Sequence, residues 1–275
     1  PATDRDALSP RTLDEREEIH SGPDVPVLDI STFPKGARAG NFFHDILEFV
    51  DYRPEGAPER DAMVTSKLQT YGFDAKWKTM VSEALENILA SSLPLADGSM
   101  RLSELDREHR INELAFHFPI SRLTPSLMQN VFGRHPHGTG LDNFSESLGR
   151  LMFSPTQGFL KGYIDLVFIH DDRFYIVDWK TNHLGHHPNA YAGNRLAGVM
   201  HDELYILQYH LYSLALHRYL GQRIVDYAYD AHFGGVFYLF LRGMRSNAEK
   251  FPGIYFDRPP RELIKELENT ILIKT

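Results

Sequence analysis

Asp165, Asp178 and Lys180 are the residues whose types and spacing point first to chemistry. Asp165 lies in the run Gly162-Tyr163-Ile164-Asp165-Leu166-Val167-Phe168. Asp178 and Lys180 close the run Phe174-Tyr175-Ile176-Val177-Asp178-Trp179-Lys180. Two carboxylates bind a hard divalent cation, and a lysine beside them can hold a water or stabilise an anionic transition state. That set suits metal-assisted hydrolysis of a phosphodiester. An Asp-x-Lys triplet alone occurs by chance in many chains, and an acid at a strand end is more often a solvated turn residue.

The elements that must position these residues strengthen the reading. Both runs are rich in β-branched and aromatic residues and read as strands. The polar link His170-Asp171-Asp172-Arg173 is turn-prone, so a hairpin over about 158–168 and 173–180 is expected, with both carboxylates able to face one site. Asp178 and Lys180 are two apart and point to one face of a strand. Downstream, Leu204, Leu207, Leu211 and Leu214 repeat at helical spacing, with Gln208 and Tyr212 as i,i+4 partners on the adjacent stripe. Upstream, Asn112 to Pro119 alternates. Leu114, Phe116 and Phe118 share one face, and Glu113, Ala115 and His117 the other, which reads as a strand carrying one acid. Phe33 to Glu48 reads as a loop entering a helix, with His44 in its early turns.

In chain order, His44, Glu113, Gly162-Tyr163-Ile164-Asp165, Asp178-Trp179-Lys180 and Gln208-x-x-x-Tyr212 resemble the RecB-type nucleases of the PD-(D/E)xK superfamily. The flanking words are closer still to the C-terminal nuclease domains of RecBCD-type helicase–nucleases (exonuclease V). They are Gly36 to His44, Asp178 to Gly185, Gln208 to Tyr219 and His232 to Gly243, and the likeness covers roughly residues 33 to 245. Trp179 stands where tyrosine is more usual. If that residue contributes its backbone carbonyl, the change of side chain matters little.

The resemblance implies an α/β fold of the restriction-endonuclease type, with a central mixed sheet flanked by helices. It implies a Mg²⁺-dependent deoxyribonuclease, with Mn²⁺ able to substitute, that trims unwound strands at double-strand breaks. The partners implied are DNA, RecC and RecD subunits and RecA recombinase, in a bacterial cytoplasm. An alternative from another class is a protein platform that loads RecA, with helices such as 61–92 supplying the contact.

Within that frame Asp165 and Asp178 are expected as direct Mg²⁺ ligands and the Trp179 carbonyl as another. The resemblance adds His44 as a ligand; by itself it reads as a helix-surface histidine. Lys180 is expected to orient the attacking water and stabilise charge on phosphorus. Glu113 would accept a proton or hold water at the metal. Gln208 and Tyr212 either donate to a phosphate oxygen or brace Lys180. Three groupings are set aside, two of histidines and one of tyrosines. His183, His186 and His187 lie in a Gly/Pro/Asn loop without zinc-site partners, and His135 and His137 flank Pro136 in a glycine-rich loop. The tyrosines from Tyr205 to Tyr219 are mostly core by spacing.

Composition bounds the rest. The chain has 275 residues, 42% hydrophobic, enough for one sizeable domain, or one with an appendage. No cysteine is present, which excludes a disulfide framework, a thiol nucleophile and cysteine-held zinc or iron–sulfur clusters. No signal peptide or run of the ~20 apolar residues needed to span a bilayer is visible. The chain begins Pro1-Ala2-Thr3 without methionine, so a fragment of a longer protein is expected; the resemblance implies that the missing part is an N-terminal helicase. Residues 1–30 hold eight acids and three arginines, a net of −5 from the chain's total of −8, and read as an acidic linker ahead of a nuclease domain over 31–275. A balance this acidic argues that DNA is delivered to the domain by a motor or partner subunit rather than captured by its overall field.

The remaining elements expected are helices at 41–51, 61–92, 124–132 and 259–269, and strands at 111–118, 225–230 and 234–241. Loops or turns are expected at 51–60, 94–100, 133–140, 181–200 and 242–254, and the leucine-striped helix spans about 203–220.

Overall fold

The structure, a computed structural model, describes residues 29–135, 144–149, 156–246 and 252–272. His137 and nearly all of the acidic 1–30 stretch lie outside them. Helices α1 (Ala37–Phe49), α2 (Ala57–Thr70) and α3 (Lys78–Ala90) come first. A small hairpin, β1 (Ser92–Leu95) and β2 (Gly98–Arg101), follows. Then come β3 (Arg110–Leu123), α4 (Pro125–Arg134), α5 (Phe144–Gly149), β4 (Thr156–His170) and β5 (Arg173–Lys180). The chain continues through α6 (Asn194–Asp202), α7 (Tyr205–Gly221), α8 (Tyr229–His232), β6 (Phe233–Phe240), β7 (Ile254–Asp257) and α9 (Arg261–Ile271).

Strands β3 to β7 form one mixed sheet in sequence order, antiparallel except for the parallel β5–β6 pair. A parallel pair needs a crossover, and α6 and α7 supply it. The period-two alternation divides the core between the sheet's two faces. Tyr175, Val177 and Trp179 of β5, with Phe237 and Leu239 of β6, pack against α1–α3. Ile176 of β5, with Val236, Tyr238 and Phe240 of β6, packs against α4, α6, α7 and α9. β6 is buried on both faces along its whole length, which is why it reads as a continuous apolar run. β3 forms one edge, where Pro119 removes no ladder bond that a neighbour needs.

Several boundaries differ from the sequence expectation. The helix expected at 61–92 is two helices. Gly72, at φ 66°, closes α2 with paired bonds from Phe73 N to Leu68 O (2.8 Å) and from Gly72 N to Gln69 O (3.1 Å). This is the glycine-closed helix end that a left-handed residue permits. Residues 94–100, expected as a turn, belong to the hairpin of β1 and β2. The alternating stretch near 225–230 is no strand, because Asp226 sits at φ 60° and breaks the extension. Within 181–200, Leu196 and Met200 bury one face of α6 at i,i+4 spacing, a signal diluted by Gly193 and Gly198. The short β7 falls partly in the expected loop at 242–254, and β3 runs on past 118 to Leu123. α1 starts four residues earlier than expected, so His44 lies in its middle rather than its early turns.

Arg242 ties α1 to the sheet. Its side chain is fully buried and donates to the carbonyls of Ile30 (2.8 Å), Phe33 (2.9 Å) and Pro34 (2.7 Å), which lead into α1. It also donates to Thr181 O (2.8 Å) just past β5. The planar guanidinium satisfies carbonyls that would otherwise be buried without donors. Arg242→Met keeps most of the volume and strips those donors. We expect it to lower unfolding free energy by several kcal/mol, since each buried carbonyl left without a donor costs about 1–3 kcal/mol, seen as a lower urea midpoint at unchanged m-value. A midpoint equal to that of the unaltered chain would contradict this role.

Candidate metal and catalytic centre

The centre lies where β4 and β5 part. Their ladder ends at the pair Leu166↔Val177, and the next residues outward are Asp165 and Asp178. Beyond that point β4 pairs only with β3, and β5 only with β6. The two carboxylates are therefore neighbours because the strands diverge, not because they face each other in a ladder. Asp165 bridges the opening: its Oδ2 accepts from the backbone N–H of Trp179 at 2.7 Å.

The β3–β4 ladder is interrupted at the same level. Asn112↔Leu166 and Leu114↔Ile164 pair, while Glu113 and Asp165 sit between them outside the register. Glu113 has φ 50°, rare for a non-glycine residue inside a strand. The faces exchange here. Asn112 Nδ2 donates to Glu48 O on α1, and Leu166 joins the core under α1–α3. Leu114 and Ile164 pack instead on the α7 side. Backbone strain of this kind holds in place only where surrounding contacts over-determine it; here it turns two acids into one opening.

α1 supplies the third group. His44 Nδ1 is 3.4 Å from Asp165 Oδ1, and its Nε2 is 3.0 Å from the carbonyl of Trp179. Among the described residues, His44, Glu113 and Asp165 form the group whose ligand atoms all lie within 4.8 Å of one another. Ligands about 2.1 Å from a Mg²⁺-sized ion stand roughly 3 Å apart when adjacent on an octahedron. The His44–Trp179 separation matches that spacing. Oxygen donors with one imidazole suit a hard or borderline divalent ion.

Asp178 is not in that group. It is nearly fully buried, and Lys180 Nζ sits 2.6 Å from its Oδ2. The contact is an ion pair, which sits at the opening beside Asp165. The residues present fit a divalent cation held by Asp165, His44 and Glu113, whose ligand atoms converge, with the Trp179 carbonyl and Asp178 beside them.

Lys180 is held from several sides. Gln208 Oε1 accepts from its Nζ at 3.2 Å and from Tyr238 OH at 2.9 Å, while Gln208 Nε2 donates to Tyr212 OH at 2.9 Å. The ammonium also lies over the rings of Tyr205 (4.1 Å) and Tyr238 (5.1 Å). Gln208 thus touches Lys180 directly, and Tyr212 reaches it through Gln208. Gly162 matters to it: a Cβ there would lie 2.6 Å from the Phe116 ring, which meets Tyr212 edge-on at 5.7 Å. Tyr205 and Tyr238 were missed from sequence. Tyr205 precedes Gln208 by one helical turn, and Tyr238 stands beside Asp178 in the β5–β6 register, which only the topology reveals.

Of the histidines set aside from sequence, those among the described residues are not in the converging group. The His183 ring meets that of His186 at 4.8 Å, His187 accepts from Asn189 N, and His135 pairs with Glu266. Tyr205 and Tyr209 are buried core residues.

Burial and neighbouring charge act in opposition on each group. Burial would lower His44, but the Asp165 carboxylate beside it, with Asp178 beyond, outweighs that and raises it to about 9. Burial would raise Asp165, but His44, the Trp179 N–H and Lys180 hold it below the usual carboxylate range. For Asp178 burial dominates, aided by Asp165 and opposed by Lys180, and its pKa rises to about 6. Burial would lower Lys180, but Asp178 and its neighbours raise it, so it stays an ammonium.

The chain matches the model of the PD-(D/E)XK nuclease superfamily over residues 24–271. It is 38% identical over 258 residues to the RecBCD enzyme subunit RecB of Escherichia coli (strain K12), covering 94% of this chain and 21% of that protein. It is 34% identical to the subunit of the same name from Haemophilus influenzae, covering 88% of this chain and 19% of that protein. The Mycobacterium tuberculosis (strain H37Rv) subunit is 30% identical, with 91% and 25% covered. The chain thus spans about a fifth to a quarter of the length of the curated relatives it matches.

A proton titration of the metal-free chain tests the electrostatics. His44 should titrate near pH 9, and Asp165→Asn should bring it toward or below its ordinary value of 6.5. The folded value exceeds the unfolded one. The pair's contribution to stability is therefore complete below about 6.5 and is lost as pH rises through about 9. An unaltered chain whose His44 titrates near 6.5 would contradict the pairing.

Proposed function

The chain belongs to the PD-(D/E)XK nuclease superfamily, and from that premise we propose that it is a divalent-metal-dependent deoxyribonuclease, hydrolysing phosphodiester bonds of strands unwound at double-strand breaks. Mg²⁺ is the proposed ion, with Mn²⁺ able to substitute. We take residues 31–275 as the nuclease domain and 1–30 as an acidic linker to a helicase portion, since the E. coli relative is matched over 21% of its length. In that setting the partners are unwound DNA, RecC- and RecD-like subunits and RecA. The described residues contain no helix long and apolar enough to cross a membrane.

The observation that carries the reading is the convergence of His44, Glu113 and Asp165 beside the Asp178–Lys180 pair. When bound, a divalent ion there supplies Lewis-acid stabilisation of a phosphoryl oxygen and acidifies adjacent water. Lys180, fixed as a cation by Asp178, Gln208 and two tyrosine rings, puts positive charge where the attacked phosphate becomes more anionic. An ammonium with a raised pKa does not take a proton, so proton acceptance falls to a carboxylate; of the three at the opening, Asp165 is paired with His44 and Asp178 with Lys180, which leaves Glu113. A role only as a RecA platform would leave this braced lysine without use.

Lys180→Ala should reduce cleavage of linear single-stranded DNA in Mg²⁺ by at least ~10²-fold, the loss typical of a preorganised electrostatic group, while the chain stays folded. EDTA should abolish cleavage by the unaltered chain. Cleavage by Lys180→Ala at the unaltered rate would sink the mechanism. In the metal-free chain Asp178 gains a proton as pH drops through about 6, so the Mg²⁺ concentration needed for cleavage should rise below that value, because the ion must displace that proton.

His44→Ala tests the ligand assignment. A ring that binds metal must first lose its proton. Sequence alone sets that window near the ordinary histidine value of ~6.5; the Asp165 carboxylate moves it toward 9. The unaltered chain should bind Mn²⁺ more tightly as pH rises toward 9, with proton release. His44→Ala should need more metal for cleavage and lose that pH dependence. An unchanged metal requirement would return His44 to the status of a helix residue.

A further inference from the structure

Beyond Asp165, the part of β4 that pairs only with β3 carries an exposed aromatic strip that the chemistry above does not use. Phe159 is 63% exposed and Tyr163 is 50% exposed, among the most exposed large apolar side chains of the described residues. Lys161, also exposed, lies between them. The three are alternate residues and share a face. Ile164 and Leu160 turn the other way, into the α7-side core, so the strip lies on the opposite side of the sheet, the side from which α1 presents His44. The helices α1–α3 do not cover it.

On β3, His117 stands opposite Lys161 in the register, and its ring stacks on Phe159 at 4.4 Å with an interplanar angle of 13°. Reading inward, the order on this face is a stacked ring pair, a cation, a second ring, and then Asp165. Successive members are ~7 Å apart along the strand. That is about twice the 3.4 Å rise per nucleotide of a stacked strand, which leaves room for a side chain between neighbouring bases.

We propose that this strip is a track for single-stranded DNA running to the catalytic opening, with Tyr163 and the Phe159–His117 pair stacking on unpaired bases and Lys161 meeting a phosphate between them. The inference rests on the nuclease reading and deepens it by naming the strand's path. Its direct support is continuity: Tyr163 is two residues from Asp165 on the same strand, and Glu113 closes the matching end of β3. Sequence-tolerant single-strand binding combines such rings with cations. A duplex keeps its base faces stacked inside and offers such rings nothing to stack on. The track also suits an acidic chain, since stacking does not depend on net charge.

The test is fluorescence anisotropy of a labelled single-stranded oligonucleotide with the full 275-residue chain at low salt in EDTA. Catalysis is then absent, so a negative result leaves the Lys180 cleavage test standing, and a failed cleavage test leaves this measurement readable. Phe159→Ala and Tyr163→Ala should each weaken binding roughly ten-fold, in the range for one lost base stack. Tyr163→Phe and Phe159→Tyr should retain binding. Lys161→Ala should reduce the slope of log affinity against log salt by ~0.7, one phosphate's share on a single strand. Unaltered affinity in both alanine variants would overturn the proposal and leave the strip as a protein-contact face. Equal losses on duplex DNA, or no binding by the unaltered chain at low salt, would also overturn it.

Discussion

The hydrogen bond from the Trp179 N–H to Asp165 Oδ2 is the contact on which the centre depends. Where β4 leaves β5, the backbone of β5 loses its ladder partner, and a side chain from β4 takes over that role. The exchange fixes two things together. It orients the carboxylate of Asp165, and it sets the plane of the peptide beside Trp179 while the Trp179 carbonyl meets His44. A charge-assisted bond to a backbone N–H is shorter and stronger than a neutral one. It can therefore hold a sheet open at a point where continued pairing would have closed it.

The opening forces like and unlike charges into a small, largely buried volume, and the structure resolves this by unequal environments. Asp165, beside His44 and a backbone donor, is held ionised, whereas Asp178, more deeply buried, is pushed up to about 6. Two carboxylates driven apart in this way can take different tasks at one pH. Lys180 balances the deeper acid. Because Gln208 accepts from both Lys180 and Tyr238, the lysine has little freedom to swing away from Asp178.

The hairpin carrying Asp165 and Asp178, the helix of Gln208 and Tyr212 and the strand of Glu113 were all legible from periodicity, because local alternation and turn chemistry determine them. The resemblance brought in His44, which spacing alone could not connect to acids more than a hundred residues away. Other features were not legible because they arise between elements. The left-handed Glu113 has no sequence signature, and the divergence of β4 from β5 appears only in the register. Tyr238 sits in an all-buried strand whose hydroxyl is invisible to a hydrophobic pattern. The split of residues 61–92 was readable in principle from Gly72 followed by Phe73 and Asp74, but a long apolar periodicity masked it.

The central claim is that the parted strands form one cation site shared by Asp165 and Asp178, and Mn²⁺ binding seen by anomalous diffraction tests it most directly. The account predicts a metal peak at coordination distance, ~2.0–2.2 Å for a Mg²⁺-like octahedral site, from oxygens of Asp165 and Asp178 and from the Trp179 carbonyl, with His44 or Glu113 completing the shell. A peak bound only by the His183–His186–His187 loop, or none at the opening under saturating Mn²⁺, would contradict it.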